Sequence, residues 1–378
     1  MIKTTHVGSL PRPADMLTRQ MKKLEVSDDD LRRYVAELIE RQLALGLSCI
    51  NNGELPRKDY ISATIQRISG FNGHCQAPLP QDMEEIPEYA RRFGGRNGLI
   101  TLNPKAPIEL PACSEDLSYS GEQTLRGELE MMVSAFGQIQ QRFPGAESEL
   151  FFTAPSPGTI ALFLQNHHYP DYRTYLEKLG ELLKQEYEII TSYGVIVQID
   201  CPDLAMGRHT RFKDLDDDAF LNLIDDNIEV LNEALASIAS ERCRAHICWG
   251  NYPGTHHCDI ELGRILPHIN RLRPKYISIE SCNHRHGHEW ELFKEYRLAD
   301  DKTLLPGVID TTSNTVEHPD LVAGRLLNFI NILGSDRVIG STDCGFASTA
   351  SATGVSGEVA WLKLKALVDG ARRAAART

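Results

Sequence analysis

Eight short apolar runs, separated by longer stretches, are the feature that most limits how this chain can fold. They fall at Thr4–Val7, Ser48–Asn51, Leu150–Thr153, Val195–Ile199, Cys243–Cys248, Tyr276–Ile279, Leu304–Ile309 and Arg337–Gly340. Runs this short that are apolar on both sides of the backbone suit parallel strands buried on both faces. Amphipathic periodicity predicts helices between them, near Asp28–Leu45 with Gly46 as the stop, then near Tyr172–Tyr193, Asp217–Ala236, Ile260–Ile269, Pro319–Leu333 and Gly357–Ala375. Eight strands alternating with helices predict an α/β fold, a (β/α)8 TIM barrel. A doubly wound open sheet is the competing arrangement, but no Gly-x-Gly-x-x-Gly follows the first run. Residues 60–149 break the alternation with Pro78, Pro80, Pro87, Pro104, Pro107 and Pro111 and one helical part near Gly127–Arg142. They predict an insertion after strand 2 that caps one end of a single barrel domain spanning residues 1–378.

The net charge of −12 argues against nucleic acid as a partner, because phosphate binding needs a basic face. No run approaches the roughly 18 apolar residues that a membrane span needs, and the opening Met1–His6 has no apolar core of a secretory signal. Nine cysteines, odd in number and scattered, predict free thiols in a reducing, cytoplasmic setting. A homo-oligomer is compatible with all of this.

A barrel builds its active site from the C-terminal ends of its strands, and the polar residues collect there. The ends offer Ser9, Glu54 with Arg57 and Asp59, Asp200 with Cys201, His246 with Cys248, Glu280 with Cys282, Asp310 with Thr311 and Thr312, and Asp343 with Cys344. Side chains two apart on a strand share a face, so His246 and Cys248 project together. Imidazole and thiolate are common zinc ligands. His246, Cys248, Glu280 and Cys344 are candidates for a tetrahedral site that only the barrel can assemble. The bland alternative makes Cys344 a buried thiol and Glu280 the partner of a barrel Arg or Lys. A second candidate ligand set is His256, His257 and Cys258 with His284, His286 and His288.

In order from residue 4 to the C-terminus, Thr4-Thr5-His6-Val7-Gly8-Ser9, Gly53-Glu54, Gln198-Ile199-Asp200, His246-x-Cys248, Glu280-Ser281, Pro306-Gly307-Val308 and Asp343-Cys344-Gly345 resemble the catalytic domain of cobalamin-independent methionine synthase. His246-Ile247-Cys248-Trp249-Gly250, Gly287-His288-Glu289-Trp290, Val316-Glu317-His318-Pro319 and Ser341-Thr342-Asp343 are similar to a relative, epoxyalkane:coenzyme M transferase. The resemblance implies a zinc ion held by His246, Cys248, Glu280 and Cys344, with the thiol of homocysteine as its substrate ligand. It implies Ser9, Glu54 and Asp200 for the amino-acid part of that substrate. The chain departs from the family at Thr312, where the family has a His, and at Phe163, where it has a Trp.

A free thiol, with a pKa near 8.5, is mostly protonated at neutral pH, and zinc makes it a thiolate. The expected reaction is methyl transfer from a methylated folate, or another methyl donor, to homocysteine. The alternative is addition of a thiolate to an epoxide, as in the coenzyme M branch. An amine leaving group needs a general acid, for which Asp310, His318 and Glu317 are candidates. Two further hypotheses are a metal-free decarboxylase on the same barrel, which would need an Arg-rich cleft, and a non-catalytic thiol-binding protein.

Overall fold

Seven strands form one sheet in the order β1-β6-β7-β8-β9-β10-β11 in a computed structural model that describes residues 2–22, 26–93, 99–145, 147–347 and 355–378. These strands are β1 (Cys49–Ile50), β6 (Glu149–Pro155), β7 (Ile196–Asp200), β8 (Cys243–Ile247), β9 (Tyr276–Ile279), β10 (Thr303–Ile309) and β11 (Ser341–Thr342). Every neighbouring pair runs parallel. The strands are buried on both faces, as the apolar runs require, and helices cover the outside.

Two of the expected strands differ from their runs. The first is a single parallel bridge from Thr4 to Gly340. Its backbone nonetheless reaches both outer strands. Thr5 N–H donates to Gly340 O at 2.9 Å, Ser48 N–H donates to Thr4 O at 2.8 Å, and the Thr5 hydroxyl donates to Cys49 O at 2.9 Å. The eighth run begins in a 3-10 turn, Ser335–Arg337, and meets Leu304 in a single bridge at Val338, with Ile339 N–H donating to Leu304 O at 3.0 Å, so the strand proper shifts to Ser341–Thr342.

The helices begin where short polar side chains supply the first free N–H groups with acceptors. Ser27 caps Asp28–Leu45, Asp171 caps Tyr172–Ser192 and Asp216 caps Asp217–Ala234. Gly46, at φ 87°, ends the first of these in a left-handed turn that glycine adopts freely. The predicted helix near Ile260–Ile269 forms as Leu262–Ile269.

Residues 60–149 hold two small antiparallel sheets. One pairs β2 (Ile68–Ser69) with β5 (Ser118–Tyr119), and the other pairs β3 (Gly73–Gln76) with β4 (Glu109–Ala112). The stretch ends in the helix Glu122–Gln140, which packs on Asp28–Leu45 and Tyr172–Ser192 in the outer helical layer. That part therefore joins the helical layer instead of lying over the end of the sheet. No helix among the described residues is long and apolar enough to cross a membrane.

Candidate metal centre

Strand β8 is buried along its whole length, and alternate side chains point into the curl of the sheet. Arg244 is the lowest of these. Its guanidinium donates to His6 O at 2.9 Å and to the Thr5 hydroxyl at 3.2 Å, and lies 4.2 Å from the centre of the Phe151 ring. Two residues on comes His246, and just past the strand Cys248. Ligand atoms of His246, Cys248 and Cys344 all lie within 4.8 Å of one another, with the two sulfurs 3.8 Å apart. All three residues are buried.

The chemistry of this trio fits a divalent ion. Neither nitrogen of the His246 ring has a hydrogen-bond partner among the described residues. Burial, reinforced by the Arg244 charge, pushes its pKa down to about 3, so the ring is neutral and free to ligate. Cys248 is pushed well above the ordinary thiol range, first by its contact with Cys344 and then by burial. Two thiols this close cannot both ionise unless a cation joins them. The Gly250 N–H donates to the Cys248 sulfur at 3.3 Å, which supports a thiolate there.

Glu280 stands beside the trio and is not within its 4.8 Å circle. Its oxygens accept from Trp249 N–H at 2.8 Å and from the Asn283 amide at 2.9 Å. Burial, and then the Cys248 charge, raise its pKa well above the carboxylate range. Asp343, next to Cys344, ties the loop after β9 to the loop after β11. It accepts from Ser281 N–H at 2.8 Å, Cys282 N–H at 3.2 Å and Asn283 N–H at 3.0 Å. A side chain at position 307 would collide with this carboxylate, since a Cβ there would lie 2.2 Å from Asp343 Oδ1.

The cavity bounded by His246, Cys248 and Cys344 is also lined by Ser9, Glu54 and Asp200. Glu54 takes the left-handed backbone conformation, φ 60°, directly after Gly53 at φ 65°. A non-glycine residue held there costs about 1–3 kcal/mol. Its side chain accepts from the Thr153 hydroxyl at 3.0 Å and fills the space a Cβ on Gly8 would need, 2.4 Å away. Burial raises the Glu54 pKa against the pull of Arg57. Burial, and then the Glu54 charge, push Asp200 well above the carboxylate range, against the Gln198 amide that donates to it at 2.7 Å. Ser9 is held by the loop after β11, where Ala347 N–H donates to its hydroxyl at 3.2 Å. Phe163, Met206, Leu99 and Ile100 supply apolar wall, the last two from the stretch that interrupts the alternation.

A second cavity shares Gly250, Asn251 and Cys344 with the first and is lined by Asp310, Thr311, Thr312, His284 and Arg285. Burial would raise Asp310, but the Thr312 hydroxyl at 2.7 Å and N–H at 2.8 Å outweigh it and hold the carboxylate below its ordinary range.

The other two candidate acids are placed elsewhere. His318 caps the helix Pro319–Leu333, accepting from Asp320 N–H at 3.2 Å, and its side chain is 71% exposed. Glu317 is buried in an ion pair with Lys363 at 2.9 Å and accepts from Asp310 N–H at 2.9 Å. It therefore anchors the Asp310 backbone. Lys363→Met strands a buried carboxylate, with an expected loss of about 3–5 kcal/mol in urea unfolding and recovery of most of it in the double variant with Glu317→Leu, which still lacks the acceptor for Asp310 N–H.

Arg57 does not pair with Asp59. It bonds Glu128 at 3.2 Å and Thr153 O at 2.7 Å, while Asp59 caps the helix Tyr60–Arg67. Of the second histidine set, His256 and His286 meet on the buried Asp259, each at 3.0 Å. His286 also pairs with Glu289 at 2.8 Å. Asp259 and Thr153 carry no local signal in the sequence, since Asp259 meets His286 across 27 residues and Thr153 meets Glu54 across 99.

Residues 170–372 match the cobalamin-independent synthase catalytic domain, and the chain belongs to that family. It is 23% identical over 381 residues to a methionine synthase of Saccharolobus solfataricus, covering 98% of this chain and 94% of that protein. Over 170 residues, 38% of this chain and 44% of the relative, it is 28% identical to 2-hydroxypropyl-CoM lyase of Xanthobacter autotrophicus. Its fold matches a B12-independent methionine synthase from Shewanella sp. W3-18-1, solved in complex with selenomethionine, with a TM-score of 0.72 at 18% identity, covering all of this chain and 98% of that one.

Proposed function

We propose that this chain is a zinc-dependent thiol alkyltransferase that methylates homocysteine to methionine, built on a (β/α)8 barrel closed through the Thr4 segment. One observation carries the reading. A neutral buried imidazole and two thiols form one wall of a cavity whose other polar side chains include a pair of carboxylates and a serine. His246, Cys248 and Cys344 would hold the ion, with Glu280 beside them as the candidate fourth ligand. Zinc is redox-inert, and when bound it keeps a substrate thiol deprotonated near neutral pH.

The chain's own residues do the rest. Burial raises Glu54, and burial with the Glu54 charge raises Asp200, so a cation beside them favours both in the ionised form, and the ammonium of an amino-acid thiol supplies one. Ser9 offers its hydroxyl to the same substrate. Asp310 faces the second cavity, where the methyl donor enters. Its depressed pKa suits it to hold a proton-bearing group of the donor by accepting from it. Asn251 lines both cavities and separates the two substrates.

The similarity to 2-hydroxypropyl-CoM lyase keeps a second thiol in view, a sulfonate such as 2-mercaptoethanesulfonate. Its negative charge would meet Glu54 and Asp200. Calorimetry on the zinc-loaded protein decides between them. Homocysteine should bind at least tenfold more tightly than 2-mercaptoethanesulfonate. Equal or reversed affinities would remove the amino-acid reading and favour thiol addition to an epoxide.

A further inference from the structure

A second group of ligand side chains shares no residue with the first. Atoms of Glu85, His257 and Cys258 lie within 4.8 Å of one another. Glu85 ends the helix Gln81–Glu85 in the interrupting stretch, while His257 and Cys258 belong to the loop that leaves β8. Only the folded chain brings them together.

Each donor is already aimed. The Thr255 hydroxyl meets His257 Nδ1 at 2.7 Å, which turns Nε2 toward Glu85 Oε2 at 2.9 Å. The Gln81 amide holds the other Glu85 oxygen at 2.8 Å. The Cys258 sulfur lies 3.7 Å from Glu85 Oε2. Such outer partners are what orient histidine and carboxylate ligands at metal sites. The carboxylates of Glu85, which meets the Cys258 sulfur, and of Asp82, which accepts from His256 N–H, put negative charge beside the same loop. The residues are part-exposed, so an ion and its waters have access.

We propose that Glu85, His257 and Cys258 form a second divalent-cation site, suited to zinc or a similar borderline ion, with water completing its shell. One oxygen, one nitrogen and one sulfur donor match that class of metal better than calcium or magnesium, which take oxygen alone. On binding, the Cys258 thiol releases its proton to solvent. His257 would ligate through Nε2, with Nδ1–H donating to the Thr255 oxygen. The ion then straps the Gln81–Glu85 helix to the loop leaving the strand that carries His246. Neighbouring Asp82 already fastens the same two segments, accepting from the Tyr252 hydroxyl at 2.9 Å and His256 N–H at 2.7 Å.

Metal titration of the full chain tests this independently of the first site. In a His246→Ala, Cys344→Ala background, added Co2+ should still bind at one equivalent per chain and show a thiolate charge-transfer band. Cys258→Ser should abolish the band, and Glu85→Gln should weaken binding at least tenfold. Absence of the band in that background, or a band that survives Cys258→Ser, overturns the proposal. Should that background fail to fold by circular dichroism, zinc counted by native mass spectrometry on otherwise unaltered protein replaces it. Two ions falling to one in Cys258→Ser support the second site, and a count that Cys258→Ser leaves unchanged refutes it.

Discussion

His246→Ala and Cys344→Ala should each lose the zinc of the β8 site and at least a thousandfold of methyl transfer, while keeping the secondary structure of the parent. A bound zinc ion would depend on the full set of ligands that cage it, and removing one of them leaves too few to hold it against a chelator. His246 has no other role to lose, since neither ring nitrogen bonds another described residue. Its removal should therefore cost metal without unravelling a hydrogen-bond network. Plasma emission analysis after dialysis against a chelator gives the stoichiometry, counted relative to the parent so that an ion at Cys258 cancels. Full zinc retention in both variants would mean that the β8 trio is not the catalytic centre.

Asp200→Asn should do two opposite things, weakening homocysteine binding about tenfold or more and raising the melting temperature. On the proposed reading the pair of acids takes the substrate ammonium, and without it the buried acids burden the fold. Burial and the Glu54 charge raise the Asp200 pKa in the folded protein. The sign follows directly. A carboxylate whose folded pKa lies above its unfolded value, about 3.9, favours the fold fully below that unfolded value and loses this as pH rises through the folded pKa. At neutral pH the charge is a liability, and the amide removes it. A gain of about 0.5–2 kcal/mol is typical where a site is optimised against stability. Scanning calorimetry with and without homocysteine reads both effects. A lower melting temperature with unchanged affinity would refute the account of the acid pair. The parent should also gain most from homocysteine where both acids would otherwise be forced to ionise.

Much of this site was open to reading because its parts obey local rules. His246 and Cys248 are two apart on a strand, so a shared face follows from the pleat alone. Glu54, Asp200 and Cys344 follow the ends of apolar runs, where a strand must give way to a loop. His318 also carried its signal, since a Pro and an Asp directly after it mark a helix start, and the residue before that Pro caps the helix. The rest depends on partners far along the chain. Lys363 and Glu317 are 46 residues apart, and Glu85 is 172 from His257. No periodicity connects such pairs. The first strand was legible as an apolar run but not as a single bridge, because its pairing is set by how the outer strands approach each other.

The backbone at Thr4 has a consequence beyond architecture. Because Ser48 and Gly340 are both linked through that short stretch, the N-terminal residues work as the clasp of a bracelet. Ser9 sits five residues along, with its carbonyl taking Phe346 N–H at 2.9 Å, on the side where Cys344 emerges. Undoing the clasp would withdraw a substrate-facing hydroxyl and slacken the loop that bears a sulfur in the same movement. The approach of the outer strands and the placement of Ser9 against the loop after Cys344 thus depend together on residues 4–9.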